Sequence, residues 1–175
     1  MRQSAKVYQL GSYKPSIPTI LRPDFARILV LGVGGAGNNT VNRLMESGIT
    51  GVECIAVNTD KQHLESTRAH IKILVGSDVA KGYGAQGSFQ ISGRAVQESV
   101  VEISPLLDNV DVVFVTAEMG GETGTVVAPV LAKLARENGA VVVGAVTMPS
   151  RAEAERHWLA VKGLKGLREA CDTVA

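Results

Sequence analysis

A doubly wound α/β fold, with a mainly parallel sheet and helices on both faces, is the architecture this sequence predicts. Three observations carry that expectation. Short apolar, β-branched runs alternate with segments of helical spacing from residue 26 onward. The runs are apolar at nearly every position rather than at alternate ones, the pattern of strands covered on both faces. Two glycine clusters stand where such a run hands over to a helix, at the carboxyl ends of strands where folds of this class bind ligands.

The elements follow in order. Residues 27–31 (Arg-Ile-Leu-Val-Leu) form the first strand, and Val41, Leu44 and Met45 sit at helical offsets directly after the glycines. Residues 52–57 read as a second strand, 61–67 as a short helix and 71–75 as a third strand. A Gly-rich loop then fills 76–88. Ile91, Ala95, Ser99, Val100, Ile103 and Leu107 trace one face of a longer helix, which leads to a fourth strand at 110–116. The helix after the second glycine cluster runs through Val130, Leu131 and Leu134 to Asn138-Gly139, a pair suited to a C-cap. A fifth strand is expected at 140–147. Residues 151–170 form a last helix with His157, Val161, Leu164 and Leu167 on one side, and 172–175 enter a further strand. No internal repeat is visible.

Composition narrows the function classes. With 175 residues the chain can bury a core without disulfides, and 45% apolar with 20% charged residues is ordinary for a globular protein. Lys and Arg number 18 against 17 Asp and Glu, a net charge of +1 that offers no electrostatic footprint for nucleic acid or an anionic membrane. No apolar run approaches the ~20 residues needed to span a bilayer, so direct membrane insertion is not expected. Cys54 and Cys171 belong to no metal or redox spacing and read as buried packing residues in a reducing, cytoplasmic compartment. Residues 1–24 stand apart: Arg2, Lys6, Lys14 and Arg22 precede any acid, and Pro15, Pro18 and Pro23 discourage regular structure. They read as a flexible extension or an arm docked on the domain at 25–175, without the apolar stretch of a secretory signal.

The first glycine cluster, Gly32-Val33-Gly34-Gly35-Ala36-Gly37, satisfies G-x-G-x-x-G between a strand and a helix. Such a helix aims unsatisfied N–H groups and its positive dipole end at an anion, and Asn38 and Asn39 can add amide donors. Alone, this loop fits a nicotinamide dinucleotide, which asks for an acid at the end of the second strand. Glu53 has about the right spacing but sits at that strand's start; Asp60 sits at the right end but further along. The second cluster, Glu118-Met119-Gly120-Gly121-Glu122-Thr123-Gly124-Thr125, again joins a strand to a helix, with two hydroxyls expected on the same rim. Two convergent helix N-termini suit a di- or triphosphate better than a dinucleotide. No Lys-Ser/Thr pair follows, so it is not a Walker A loop. His63 and His70 read as solvated helix and turn residues, which leaves a dehydrogenase reading without a catalytic base.

In these blocks the chain resembles the FtsZ family, the tubulin-like cell-division GTPases of bacteria and archaea. The carriers are residues 32–39 (GVGGAGNN), 55–60 (IAVNTD), 82–85 (GYGA), 113–117 (VFVTA) with 120–125 (GGETGT), and 146–149 (VTMP). Five blocks in order, from about residue 28 to 175, are far more specific than either loop. The resemblance implies a Rossmann-like GTPase domain that binds GTP or GDP, with magnesium bound through the nucleotide and no metal site of the protein itself. It implies phosphate contacts from Gly35, Ala36, Gly37, Asn38 and Asn39, with Gly34 beside them, and from Gly120, Gly121, Glu122, Thr123, Gly124 and Thr125. Asn58 and Asp60 would line the pocket, Asp60 meeting magnesium-bound water. Ala85 would approach the terminal phosphate, and Thr147 and Glu153 would reach the ribose.

The departures are specific. Glu122 stands where the family's loop has glycine, Val126 replaces a second glycine, and Gln86 replaces one in the long loop. His157 lies where the family has an arginine near the nucleotide, with Arg156 one residue earlier. The family's guanine-stacking segment, central helix and C-terminal domain lie past residue 175. The resemblance therefore implies an N-terminal piece of a longer protein that binds nucleotide, lacks catalytic residues of its own, self-associates head to tail into filaments only at full length, and has other cell-division proteins as partners. A turnover-deficient relative acting on such filaments is the second reading, and an NAD-binding domain the third.

Overall fold

The structure, a computed structural model, describes residues 5–9 as backbone and residues 26–175 with their side chains. Strands β2 (Ile28–Val33), β3 (Val52–Asn58), β4 (Ile71–Val75), β5 (Val112–Glu118), β6 (Val141–Thr147) and β7 (Thr173–Val174) lie parallel. With β1 (Ala5–Gln9) they form one sheet in the order β1-β4-β3-β2-β5-β6-β7. Helices α1 (Gly34–Glu46), α2 (Lys61–Ser66), α3 (Phe89–Ile103), α4 (Glu122–Glu137) and α5 (Ala154–Ala170) connect the parallel strands, with a 3-10 turn at Ser104–Leu107. This is the doubly wound α/β architecture that the sequence predicts, and the strand order reverses between β2 and β5. Of the 1–24 extension, only Ala5–Gln9 lie among the described residues; they pair antiparallel with β4, Ala5 opposite Val75 and Gln9 opposite Ile71.

The two-residue period of a strand divides the core. Leu29, Leu31 and Val33 of β2 face one side with Ile55, Val57, Val113 and Val115, under the buried faces of α3 and α4. Val30 faces the other side with Cys54 and Ala56, against Val41 of α1 and Leu64 of α2. Because both sides are covered, β2 is an unbroken apolar run and β3 is apolar between Glu53 and Asn58 near its ends. The cover stops at β5: Phe114 is 37% and Val141 53% exposed on the α1 side. Residues 112–115 and 141–146 are apolar throughout, yet covered on one face only among the described residues.

Glycine sets how close two of the helices come. A Cβ on Gly37 would run into the Thr116 carbonyl, and one on Gly32 into the Gly37 carbonyl, so α1 lies with its backbone against β2 and β5. A Cβ on Gly163 would likewise meet the Thr125 methyl, which seats α5 on α4. That contact corrects the expected face of α5. Ala160, Gly163, Leu167 and Ala170 are buried, whereas Val161 is 51% exposed. Trp158 also lies outward, its ring under the Lys162 ammonium at 3.5 Å.

Candidate functional site

The first loop is built from the end of β2. Gly34 turns the chain at φ +71° and α1 begins at once. Its N-cap, Val33, offers no side-chain acceptor, and its first turn holds no acid. By contrast α2 is capped by Asp60, whose Oδ1 accepts from the His63 N–H at 3.0 Å, and α3 by Ser88, whose Oγ accepts from the Ile91 N–H at 3.2 Å. The N-terminal donors of α1 are therefore left for a ligand. Gly35 and Asn39 are exposed and Ala36 is half-buried.

Asn38 behaves otherwise than the sequence suggests. It is fully buried, and its amide donates to the carbonyls of Gly32 at 2.7 Å and Val57 at 3.2 Å. Its Oδ1 accepts from Asn58 Nδ2 at 2.8 Å, and Asn58 Oδ1 accepts from the Asp60 N–H at 3.1 Å. The two asparagines stitch the ends of β2 and β3 together, so neither amide is aimed at an anion. A buried amide satisfies itself on the nearest carbonyls, because leaving it unpaired costs more than a ligand contact returns.

The second loop repeats the construction at the end of β5. Gly120 takes φ +93°, Gly121 is an N-cap without a side chain, and α4 opens on Glu122. Thr125 Oγ1 accepts from the Gly120 N–H at 2.7 Å. This hydroxyl is turned into its own loop and does not face the rim, against the expectation. Thr123 Oγ1 instead meets Thr59 Oγ1 at 2.9 Å, which ties the second loop to the end of β3. The two loops touch: a Cβ on Gly34 would lie 3.2 Å from the Gly124 nitrogen. Between them is a small cavity of about 90 Å³, bordered by Gly34, Gly35 and Ala36 on one side and by Gly121, Glu122, Thr123 and Gly124 on the other, with Glu118 at its edge.

Two further groups flank this cavity. On the β3 side, Asp60 bridges to Tyr83, and the Gly84 N–H donates to the Thr59 carbonyl at 3.1 Å. The loop carrying Ala85, itself buried, is thus pinned beside Asp60. On the β6 side, Thr147 is exposed and its carbonyl accepts from the Met119 N–H at 2.9 Å. Glu153 Oε1 accepts from the Ser150 N–H at 3.1 Å, and its Oε2 meets Arg156 Nη1 at 2.7 Å. The Ser150 N–H foremost, then the Ser150 hydroxyl and the Arg156 guanidinium, hold this carboxyl below the usual carboxylate value. Arg156 Nη2 also reaches Glu118 Oε1 at 2.7 Å, and that hydrogen bond is the first cause of the raised guanidinium pKa. Arg156 is thus tied to two carboxylates beside the cavity, while His157 Nδ1 lies 3.2 Å from the Pro149 carbonyl and is half-buried.

Sequence reasoning passed over Thr59, whose only signal was its place between Asn58 and Asp60 at a strand end. It also misread two histidines. His70 Nδ1 accepts from the Cys54 N–H at 2.9 Å, and His63 is half-buried near Gly35. The acids weighed for a dinucleotide ribose are both engaged elsewhere. Glu53 is buried at the opposite end of β3 in an ion pair with Arg27 at 2.7 Å, and Asp60 caps α2. No described helix is long and apolar enough to cross a membrane.

Residues 27–175 match the model of the tubulin/FtsZ family GTPase domain. Over 149 residues the chain is 53% identical to the cell division protein FtsZ 2 of Methanocaldococcus jannaschii, covering 85% of this chain and 39% of that protein. It is 51% identical over 150 residues to the cell division protein FtsZ 1 of Pyrococcus horikoshii, covering 85% and 40%. Its fold superposes on an empty FtsZ dimer structure from M. jannaschii with a TM-score of 0.84 at 42% identity, covering 87% of this chain and 45% of the other. The chain spans about two fifths of the length of the curated relatives it matches.

Proposed function

Because the chain belongs to the tubulin/FtsZ family of GTPase domains, we propose that it binds GDP and GTP through their phosphates at the cavity between α1 and α4. One observation supports this most: two helices begin side by side at that cavity without a side-chain cap, while α2 and α3 are capped. Uncapped N–H groups and two dipole ends give the anion its site. Phosphate would lie against the backbone of Gly34, Gly35, Ala36 and Gly37 and of Gly121, Thr123 and Gly124. Gly120 and Thr125 shape the second loop, and Asn38 and Asn58 shape the first. Asn39 adds an exposed amide. Asp60 keeps one carboxylate oxygen beyond its capping bond, available to water on a nucleotide-bound magnesium, and Ala85 lies on the loop pinned beside it. Thr147, Glu153 and His157 form the β6 rim, where Arg156 holds Glu118 and Glu153 in place beside the ribose end. The protein acts in the cytoplasm, in cell division. Head-to-tail polymerisation and hydrolysis belong to the longer form that the relatives' lengths represent.

Equilibrium binding of labelled GDP, GTP, ATP and NAD tests the reading. GDP and GTP are expected to bind more tightly than NAD, with ATP close to GTP because the proposed contacts are to phosphate; a preference for NAD, or no nucleotide bound at all, refutes it. Glu122 favours a second reading, a relative that associates with FtsZ-type filaments without turning over nucleotide. Co-sedimentation with such filaments, by a chain that binds no GTP, would select it.

A further inference from the structure

Glu122 borders the cavity as the first residue of α4. It is half-buried and forms no hydrogen bond or ion pair with any described residue. Every neighbouring acid is otherwise committed: Glu118 and Glu153 to Arg156, and Asp60 to the N-terminus of α2. What remains opposite the Glu122 charge is the positive end of its own helix and that of α1. A carboxylate in the first turn of a helix is favourable to the free protein, and its charge opposes an incoming anion at the cavity it borders.

Resting on the nucleotide reading above, we infer that Glu122 is a specificity-determining residue. It sets a charge that no described residue pairs on the border of the phosphate cavity, so the domain takes a nucleoside diphosphate and rejects the third phosphate until a divalent cation neutralises the two anions. Two like charges at about 4 Å repel, between the limits of water and a near-surface dielectric, by enough to change affinity about fivefold to several hundredfold. Phosphate count and divalent cation are thereby coupled at one residue.

The test measures binding of GDP and a non-hydrolysable GTP analogue to the 175-residue chain and to Glu122→Gln and Glu122→Ala, in excess magnesium and in EDTA. Thermal melts establish that each variant is folded. In EDTA the unsubstituted chain is expected to prefer the diphosphate by about tenfold or more, and magnesium to narrow the gap. Both substitutions are expected to narrow it without magnesium, by raising triphosphate affinity. A diphosphate-to-triphosphate ratio in EDTA that is the same in all three proteins overturns the inference and leaves the nucleotide reading standing. If no protein binds either nucleotide in either condition, the nucleotide reading falls and the inference falls with it.

Discussion

Replacing Thr125 by valine isolates one hydrogen bond that joins the fold to the site. Thr125 is 8% exposed, and its Oγ1 accepts from the Gly120 N–H at 2.7 Å. Its methyl lies against Gly163 of α5. Valine keeps the methyl and nearly the volume, so packing is conserved while the Gly120 N–H loses its acceptor. The Gly120 position cannot readily turn that N–H elsewhere: it holds φ +93°, and a Cβ there would stand 2.8 Å from the Arg156 carbonyl. A buried donor left unpaired costs about 1–3 kcal/mol. With a urea m-value of about 2 kcal/mol/M for a domain of this size, the unfolding midpoint should fall by about 0.5–1.5 M at unchanged m. GDP affinity should fall with it, because the backbone at Gly120 and Gly121 is no longer fixed. Thr125→Ser is the control. It keeps the acceptor and removes the methyl, so it should lose about 1 kcal/mol of stability yet retain GDP affinity. If valine is as stable as threonine within about 0.5 kcal/mol and binds GDP equally, this bond does not hold the loop.

Three further outcomes follow from the geometry. Gly37→Ala drives a Cβ into the Thr116 carbonyl and should cost about 3 kcal/mol or more, whereas Gly121→Ala meets open space and should shift stability by under about 0.5 kcal/mol; urea unfolding of both checks the contrast. Arg27→Met strips Glu53 of its ion-pair partner, with side chains 29% and 9% exposed respectively. A loss of about 2 kcal/mol is expected, less than for a fully buried pair because Arg27 is partly screened, with GDP affinity unchanged because the pair lies at the far end of β3. Burial pushes the Cys54 and Cys171 thiols up to about 11, from an ordinary thiol value of 9.0. At pH 8 the native thiolate fraction is then about a hundredfold below that of the unfolded chain, so thiol reagents should label both slowly until urea exposes them; fast labelling of the native protein would contradict the buried placement.

The fold was legible because its signal is coarse. Strands buried on both faces leave apolar runs that few other structures produce, and the glycines mark their carboxyl ends. Boundaries were less so. β5 begins at Val112 rather than Val110, because Asp111 is spent on Arg27: its N–H donates to the Arg27 carbonyl at 3.0 Å and its Oδ2 accepts from the Arg27 N–H at 2.6 Å. The face of α5 was misjudged for a physical reason. Hydrophobic periodicity follows large side chains, but this helix packs through Ala160 and Gly163, where close approach requires their near absence. Within the candidate site, the structure gives two of the expected ligand contacts partners in the protein itself. Asn38 and Thr125 carry polar groups beside a ligand loop, yet each is buried and bonded to that loop's own backbone. One sequence cannot separate a donor to a ligand from a donor that shapes the ligand's loop, because both require the same atoms at the same turn.

That distinction explains how the two loops are held. The first is fixed from beneath, by glycines that let α1 touch the strands and by the Asn38–Asn58 pair across the ends of β2 and β3. The second is fixed from the side, by Thr125 within the loop, Thr59 from β3 and the seat of α5 on α4. Neither arrangement spends a side-chain cap on the helix that follows. A cap is worth about 1 kcal/mol to a helix, and α1 and α4 forgo it while α2 and α3 do not. Donors without a side-chain cap are those with most to gain from an anion, and the proposed phosphate site rests on them. Glu122 makes the two helices unequal. The first turn of α4 holds a carboxylate and that of α1 none, so on the proposed reading the domain's response to a second and a third phosphate should diverge at that residue.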